Sequence, residues 1–450
     1  MNFLKGYTKQ EISWMMYDWA NSAHSVIIVT LLPIFFDTVA SYTADSVSSM
    51  STWGYATSIA MAIVALAAPF LGVFGDIRGM RKKLFTIFML IGVVACAGMA
   101  FTPGMDFTSS TAVADKVAAL ILVLYIVSVI GFDASAIYYD AFLTDITTED
   151  RMDRVSTMGY GLGYIGGSTI PLLIFLIMNL VGVPMLTCLA FIFALTAVWW
   201  LVFSLPLLKN CEQTSGKPYE KGDVARNIRG VGSTVKEIIA NKPMLVYILA
   251  YFFYIDGVHT IISMATTYGT NLGLDSTGMM LALLLVQILG LPFCLLYIRF
   301  ANKFGARAMV GFGICVYMFI CIFGYFMNSL WQFWVLAVLC ATSQGGIQAL
   351  SRSMFGKLIP DKDRSGEFFG FFDIFGKFSS IMGPALVGVV SSAVANGMLR
   401  SQGLTAETAT AEQIDLINAS SSHYGILSII LIIAVGAVLY FAVLPRTEKR

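Results

Sequence analysis

Twelve long apolar runs constrain this chain more than any other feature of its sequence. A helix needs about 20 residues to cross the roughly 30 Å hydrocarbon core of a bilayer. The runs cover residues 13–39, 51–75, 84–102, 116–145, 156–180, 183–208, 243–270, 276–300, 308–328, 330–356, 367–396 and 422–445. Charged residues make up only 12% of the chain, about half the usual share in a soluble protein. The sequence therefore predicts an all-α integral membrane protein with twelve transmembrane helices.

The remaining composition argues against several other classes of protein. The net charge of +1 is far from the basic excess that nucleic-acid binding requires. The seven cysteines show no paired spacing typical of a metal site or a disulfide framework. Residues 72–75 (Gly-Val-Phe-Gly) lack the Gly-Lys-Ser/Thr ending of a phosphate-binding loop, and no nucleophile–base constellation is visible. We therefore expect no metal, no cofactor, no nucleic-acid partner and no enzymatic activity.

Lysine and arginine collect on one side of the predicted membrane, as the positive-inside rule requires. With both termini placed in the cytoplasm, the inner segments carry Lys5, Lys9, Arg78, Arg81, Lys82, Lys83, Arg151, Arg154, Lys209, Lys217, Lys221, Arg226, Arg229, Lys236, Lys242, Arg299, Lys303, Arg307, Arg352, Lys357, Lys362, Arg364, Arg446, Lys449 and Arg450. Only Lys116 and Arg400 fall outside, and Lys377 lies within a run. This distribution predicts a multi-pass protein of the cell (inner) membrane with cytoplasmic N- and C-termini.

The two halves of the chain repeat one pattern in the same direction. The matching pairs at an offset of 226 residues are Gly79 with Gly305 and Arg81 with Arg307, and those at an offset of 213 include Asp150 with Asp363 and Pro171 with Pro384. Parallel repeats of this kind are typical of transporters whose two halves are related by an axis along the membrane normal. We expect an N-terminal six-helix bundle over 1–208, a cytoplasmic linker loop over 209–242 and a C-terminal six-helix bundle over 243–450.

Short motifs give the chain a resemblance to the major facilitator superfamily. Gly72, Asp76, Gly79 and Arg81 match the loop motif of that superfamily, in which Gly, Asp and Gly are followed by basic residues. Ile77 and Met80, by contrast, stand where the superfamily usually has basic residues.

A more specific resemblance is to the "unknown major facilitator" family, which is related to the fungal autophagy-associated vacuolar amino-acid effluxers. Its most specific part is the heptapeptide Tyr-Asp-Trp-Ala-Asn-Ser-Ala at 17–23. The resemblance recurs at 159–167, 256–257, 345–353, 367–370 and 376–378. It implies two pseudo-symmetric bundles with the first, fourth, seventh and tenth spans around a central cavity.

The same four spans carry the deepest polar side chains of the sequence. These are Asn21 and His24 in the first span, Asp133 in the fourth, Asp256 and His259 in the seventh, and Gln344 and Gln348 in the tenth. Placing an ionisable group at mid-bilayer costs free energy, so each such group is first considered a candidate functional residue. Asn21 and His24 are too far apart in angle for both to point directly inward.

We expect Asp133 and Asp256 to form a protonation or cation-coupling site, because a carboxylate in a low dielectric resists ionisation and its proton occupancy becomes sensitive to a bound solute. His259 is a possible second titrating group. Gln344, Gln348 and Asn21 would supply neutral donors and acceptors to a polar substrate. The alternative is that all these groups only form hydrogen bonds between helices.

Lys377 lies about 15 Å along the eleventh span, four residues after Asp373. An acid followed by a base at this spacing is a favourable pair on a helix, which makes a self-neutralised structural pair one interpretation. The other is that Lys377 faces the cavity and binds an anionic group such as a carboxylate.

A second set of charged residues lies at the predicted cytoplasmic ends. The resemblance implies that this set belongs to a gate, which closes the inner side through ion pairs. The gate residues are Asp76, Gly79, Arg78, Arg81, Asp145 and Arg352. Asp18, near the start of the first span, complements the helix dipole, which favours a structural or gating role. The alternative is a solvated loop whose lysines and arginines only set the topology.

These features together favour a secondary transporter that moves a small polar solute by rocking of two bundles about a midplane site. The resemblance suggests an amino acid or small peptide as cargo. The buried carboxylates suggest protons as the coupling ion, and the composition implies a lipid bilayer as the surrounding solvent. Two alternatives stay open: a non-transporting receptor or scaffold of the same fold, and a transporter of lipids or other amphiphiles.

Overall fold

The computed structural model describes residues 4–43, 49–218, 223–405 and 408–444, and these residues are almost all helical. The first eight helices are α1 (Lys9–Ala40), α2 (Ser49–Gly75), α3 (Arg81–Met99), α4 (Thr111–Ile146), α5 (Glu149–Leu162), α6 (Ile170–Leu180), α7 (Met185–Asn210) and α8 (Asp223–Ala240). The other six are α9 (Lys242–Asn271), α10 (Ser276–Phe304), α11 (Ala306–Tyr325), α12 (Leu330–Leu358), α13 (Ser365–Ser401) and α14 (Ala411–Val438).

The prediction of twelve transmembrane helices is confirmed. Within the described residues, twelve helical segments are long and apolar enough to cross a membrane, with α5, a π-helical segment and α6 joined into one span, Glu149–Leu180. Large apolar side chains such as Leu66 and Val94 are exposed on these helices, as expected where hydrocarbon replaces water.

Two parts of the chain differ from the sequence prediction. The region at 209–242, predicted as a loop, contains helix α8. The last span starts at Ala411 and not at 422, because α14 begins with a capping box in which Thr410 and Gln413 bond each other's backbone amides. The sequence analysis misplaced this start because the first turns of α14 are polar and give no apolar signal.

The first compact unit comprises Met1–Thr234 and Gly356–Ile374. Inside it α1 packs along α7 and α4, and the indole Nε1 of Trp14 donates to the carbonyl of Tyr139 at 2.8 Å. The segment Gly163–Thr169 is π-helical, and Cβ atoms at Gly163 and Gly166 would overlap Ser22 and Trp19 of α1. The glycines of this span therefore serve close helix packing.

The second compact unit comprises Val235–Phe355 and Phe375–Arg450. Inside it α9 packs along α14. A Cβ at Gly257 would overlap Ile433, and one at Gly436 would press on the backbone of Tyr254. Small residues again allow two spans to approach closely, as is typical of membrane helices.

The two sequence repeats share a backbone feature as well as residue types. Gly79 precedes α3 with φ +79° and Gly305 precedes α11 with φ +87°. Only glycine adopts this left-handed region without strain, which explains the paired glycines at matching positions. The arginines that follow have different partners: Arg81 binds carboxylates, whereas Arg307 donates to the carbonyls of Tyr440 and Leu444.

Helices α2 and α13 come into backbone contact inside the first unit. A Cβ at Gly72 would overlap the carbonyl group of Gly366, and one at Gly370 would press on the backbone of Ala68. Glycine is required at this crossing because the neighbouring atoms are backbone and cannot rotate away.

We predict that Gly72→Ala destabilises the protein by about 1–3 kcal/mol, the usual cost of overpacking. Gly54→Ala, on the same helix with nothing within 4 Å of the added Cβ, is the matched control and should be neutral or slightly stabilising. Thermal unfolding in detergent measures both. Equal melting temperatures for the two variants would contradict the close approach of α2 and α13.

Candidate functional site

The Arg81 guanidinium is the centre of a buried charge cluster in the first unit. Its side chain has no exposed surface, and it pairs with Asp76 at 2.9 Å and with Asp145. It also donates to the hydroxyl of Ser365, at the start of α13, at 2.9 Å. A planar guanidinium carries five donors in a fixed fork, so one arginine can bridge two carboxylates and a hydroxyl.

Asp76 caps the N-terminus of α13. Its two carboxylate oxygens accept hydrogen bonds from the backbone amides of Gly366 at 2.7 Å and Glu367 at 2.8 Å. The first amides of a helix have no partner within the helix, and a carboxylate there also complements the helix dipole. Burial raises the pKa of Asp76 to about 7, although Arg81 and the two amides act in the opposite direction.

Residues 211–217, which we call the strap, cover this cluster. The Gln213 amide oxygen accepts from the backbone amides of Gly79 at 2.8 Å and Arg81 at 3.2 Å, and its nitrogen donates to the carbonyl of Gly75 at 3.0 Å. The second oxygen of Asp145 accepts from Ser215 N at 2.9 Å. The strap therefore replaces water around the buried carboxylate and the turn before α3.

Further ion pairs surround the cluster, and the sequence analysis did not predict them. They are Lys357 with Asp153 at 2.6 Å, Lys362 with Glu149 at 2.5 Å, Arg151 with Glu11 at 2.6 Å, and Arg364 with Glu367 at 3.1 Å. Thr234 of α8 bonds to both Glu367 and Arg364. The repeated Asp-Arg pairs at 150–151 and 363–364 were the available signal for part of this network.

The predicted gating residues divide into groups. Asp76, Arg81 and Asp145 meet in one cluster, and the positive φ of Gly79 forms the turn beside it. The side chain of Arg78 is exposed and its backbone amide donates to the carbonyl of Lys217, so its role in the gate stays a prediction.

The other residues predicted for gating or structure are not among the hydrogen-bond partners of Arg81 in the described chain. Asp18 is buried with a carboxylate oxygen against Gly159. Asp373 is half-buried in the first unit, and Arg352 is buried in the second. Their gating roles stay predictions.

The polar residues of α1 and α4 are buried in the first unit. The His24 ring stacks on Phe132 at 4.7 Å between centroids, and its Nε2 lies 3.3 Å from the hydroxyl of Ser128. Asn21 and Asp133 are also buried. The aromatic packing around His24 favours a structural role for that ring, whereas solute binding by Asn21 and Asp133 stays a prediction.

Asp256 lies at the centre of the second unit with no exposed surface. One of its oxygens accepts from the backbone amide of Gly383 at 2.9 Å and from the hydroxyl of Thr260 at 3.4 Å. The other oxygen, Oδ2, is buried without a hydrogen-bond partner in the part of the chain that the structure describes. Buried polar atoms are nearly always satisfied, so this exception requires an explanation.

Three further predicted residues come together one helical turn away. The Gln348 side chain is hydrogen-bonded to the His259 ring, and the charge of Lys377 acts on that ring. The Gln348 amide nitrogen also donates to the carbonyl of Gln344 at 3.1 Å. The second unit therefore combines a cation, an imidazole and amides from α9, α12 and α13.

Solved structures with the same fold are transporters of the major facilitator superfamily. The proton:xylose symporter XylE bound to 6-bromo-6-deoxy-D-glucose superposes with a TM-score of 0.67 at 14% identity, covering 98% of this chain and 95% of that one. A bacterial homologue of the iron transporter ferroportin gives a TM-score of 0.63 at 15% identity, covering 97% and 99%. With its twelve spans, the chain therefore has the fold of these transporters.

The chain belongs to the family described as "Vacuole effluxer Atg22 like", which matches residues 7–400. Uncharacterized MFS-type transporter YxiO of Bacillus subtilis is 42% identical over 396 residues, 86% of this chain and 90% of the relative. Autophagy-related protein 22-1 of Penicillium rubens is 26% identical over 263 residues, 53% of this chain and 44% of the fungal protein. The predicted family relationship is confirmed.

We predict that Arg81→Ala lowers the stability of the protein by about 3–5 kcal/mol, because it leaves two buried carboxylates without their counter-charge. Arg78→Ala removes an exposed arginine three residues earlier and should change stability by less than about 0.5 kcal/mol. Chemical or thermal unfolding of both purified variants measures the difference. Similar losses for the two would contradict the central position of Arg81.

The raised pKa of Asp76 predicts a pH dependence of stability. A carboxyl whose pKa is higher in the folded than in the unfolded chain stabilises the fold at low pH and loses that contribution as pH rises through the folded value, here about 7. The contribution is fully present below the ordinary aspartate pKa of about 4, so we expect the melting temperature to fall between about pH 4 and about pH 7 and to level off above that. Asp76→Asn should flatten this fall, whereas the exposed Asp106→Asn control should keep it. An unchanged slope in Asp76→Asn would contradict the prediction.

Proposed function

We propose that this transporter moves a small polar solute by alternating access and couples the movement to a proton carried by Asp256. The observation that carries the proposal is the geometry of that carboxyl group. The group is fully buried, and one of its oxygens accepts hydrogen bonds from two donors. The other oxygen accepts none from the described residues.

The geometry of Asp256 suits a neutral acid better than an ion. An ionised carboxylate out of water needs an opposite charge or several hydrogen bonds, and the second oxygen of Asp256 has no hydrogen-bond partner among the described residues. A proton on Oδ2 removes the charge and leaves the other oxygen to accept from Gly383 and Thr260. Water or solute entering the site would favour release of that proton.

The neighbouring polar groups supply contacts for the solute. Lys377 offers a positive charge to a carboxylate, and Gln344, Gln348 and His259 offer donors and acceptors from the same unit. Asn21 and Asp133, which are buried in the first unit, stay predictions as solute-binding residues. Together with the family description as an effluxer, these groups support an amino acid or small peptide as cargo.

The proposed location is the cell (inner) membrane with both termini in the cytoplasm. The support is the distribution of lysine and arginine along the chain, which follows the positive-inside rule. In this orientation the Arg81 cluster and the strap lie at the cytoplasmic ends of the spans and act as the inner gate.

The test uses purified protein in liposomes at zero membrane potential. A thermal-shift screen of amino acids and dipeptides first identifies a bound solute, since binding raises apparent stability. One proton per zwitterionic solute across a gradient of about one pH unit supplies about 1.4 kcal/mol, which is about tenfold accumulation. We expect Asp256→Asn to abolish this accumulation while retaining solute exchange, and Asp106→Asn to behave as wild type.

Unchanged pH-driven accumulation in Asp256→Asn would overturn the proton-coupling role. Failure of every polar solute to bind or exchange, in protein that remains folded, would favour a receptor or scaffold. Movement of labelled lipids between leaflets would favour an amphiphile transporter.

A further inference from the structure

A cavity of about 230 Å³ lies inside the second unit, between the later turns of α9 and α13 and the first turns of α14. Thr267, on its wall, is eleven residues beyond Asp256 on α9, which corresponds to about 16 Å along the helix. The cavity is therefore separate from the proposed proton site.

Neutral polar side chains line this cavity from three helices. They are Thr267, Tyr268 and Asn271 of α9, Ser391 and Ser392 of α13, and Asn418, Ser421 and Ser422 of α14. No acidic, basic or histidine side chain is among the lining residues of this cavity as the structure describes it. The remaining wall is apolar and includes Met264, Val387 and Ile426. A few placed polar groups on an apolar wall are typical of a small-molecule site.

Several of these hydroxyl groups are available to a ligand. Serine and threonine in helices usually donate to the carbonyl one turn earlier, as Thr270 does to Thr266 at 3.0 Å on the same helix. Within the described chain, Thr267, Ser391 and Ser392 form no such bond. Thr267 and Ser392 are exposed and Ser391 is half-buried, so their hydroxyl groups are accessible to a ligand or to water, either of which would satisfy donors that are unfavourable next to hydrocarbon.

One polar contact holds the cavity wall in place. The Asn271 amide nitrogen donates to the hydroxyl of Ser422 at 3.0 Å, joining α9 to α14. Gly425 allows α14 to approach α13, since a Cβ there would overlap the Ser391 hydroxyl. The polar groups of three helices are therefore held around one space.

We propose that this cavity is a second binding site, for an uncharged solute that carries several hydroxyl or amide groups. Neutral donors and acceptors match such a solute, whereas a charged solute would lose its hydration without gaining a counter-charge. This site goes beyond the proposed function, because it needs neither Asp256 nor proton coupling.

The test measures thermal unfolding of the full-length protein in detergent with two uncharged probes, myo-inositol and D-glucose. Sodium glutamate and lysine hydrochloride at equal concentration are the charged comparators. We expect at least one neutral probe to raise the melting temperature by about 2 °C or more and neither charged probe to do so. Ser391→Leu, which fills the cavity, should remove the shift. Ser401→Leu, on the same helix outside the cavity, should keep it.

A second measurement covers the case in which Ser391→Leu does not fold. Equilibrium dialysis with labelled probe should show about fivefold weaker binding to Ser391→Ala, since one hydrogen bond is lost. Equal shifts with the charged probes, a shift retained in Ser391→Leu, or no shift with either neutral probe would overturn the proposal. Each of these outcomes is independent of transport, so failure here leaves the role of Asp256 standing.

Discussion

The constraint on which this structure depends is the absence of water around most of the chain. A charge that cannot be hydrated must find an opposite charge or a set of hydrogen bonds. Arg81 does this for Asp76 and Asp145 together, and the strap completes the hydrogen bonds of Asp145 through Ser215. The charges of this region therefore stabilise one arrangement of several helices. Removing one charged side chain leaves the others buried without a counter-charge, which costs free energy.

The same interaction joins segments that are far apart in sequence. Asp76 follows α2, yet it accepts from the first amides of α13, some 290 positions later. The glycines at 72 and 366 let the two backbones meet beside that bond. A contact built from one carboxylate and one helix end can form or break as a single step, which is what an alternating-access gate needs. The strap, residues 211–217, is hydrogen-bonded to the same region and would take part in this step.

The sequence predicted the twelve spans because each bilayer crossing must show its full length as an apolar run, such as 84–102 or 308–328. It predicted the Arg81 cluster only through family motifs. It did not predict the strap, α8 or the partners of Asp76 on α13, because these contacts join distant segments and leave no periodic pattern. Arg78 was assigned to the gate by the family resemblance, and its side chain is exposed on the turn after α2.

The account divides buried carboxyl groups into those neutralised by a partner, such as Asp145, and one proposed to hold a proton, Asp256. Infrared difference spectroscopy of the protein in lipid tests this division directly, because it detects the carbonyl stretch of protonated acids. We predict that solute binding changes a protonated-carboxyl band at neutral pH and that this change is absent from Asp256→Asn, whereas a band from the partly protonated Asp76 is present in both proteins. A wild-type spectrum that Asp256→Asn leaves unaltered would contradict it.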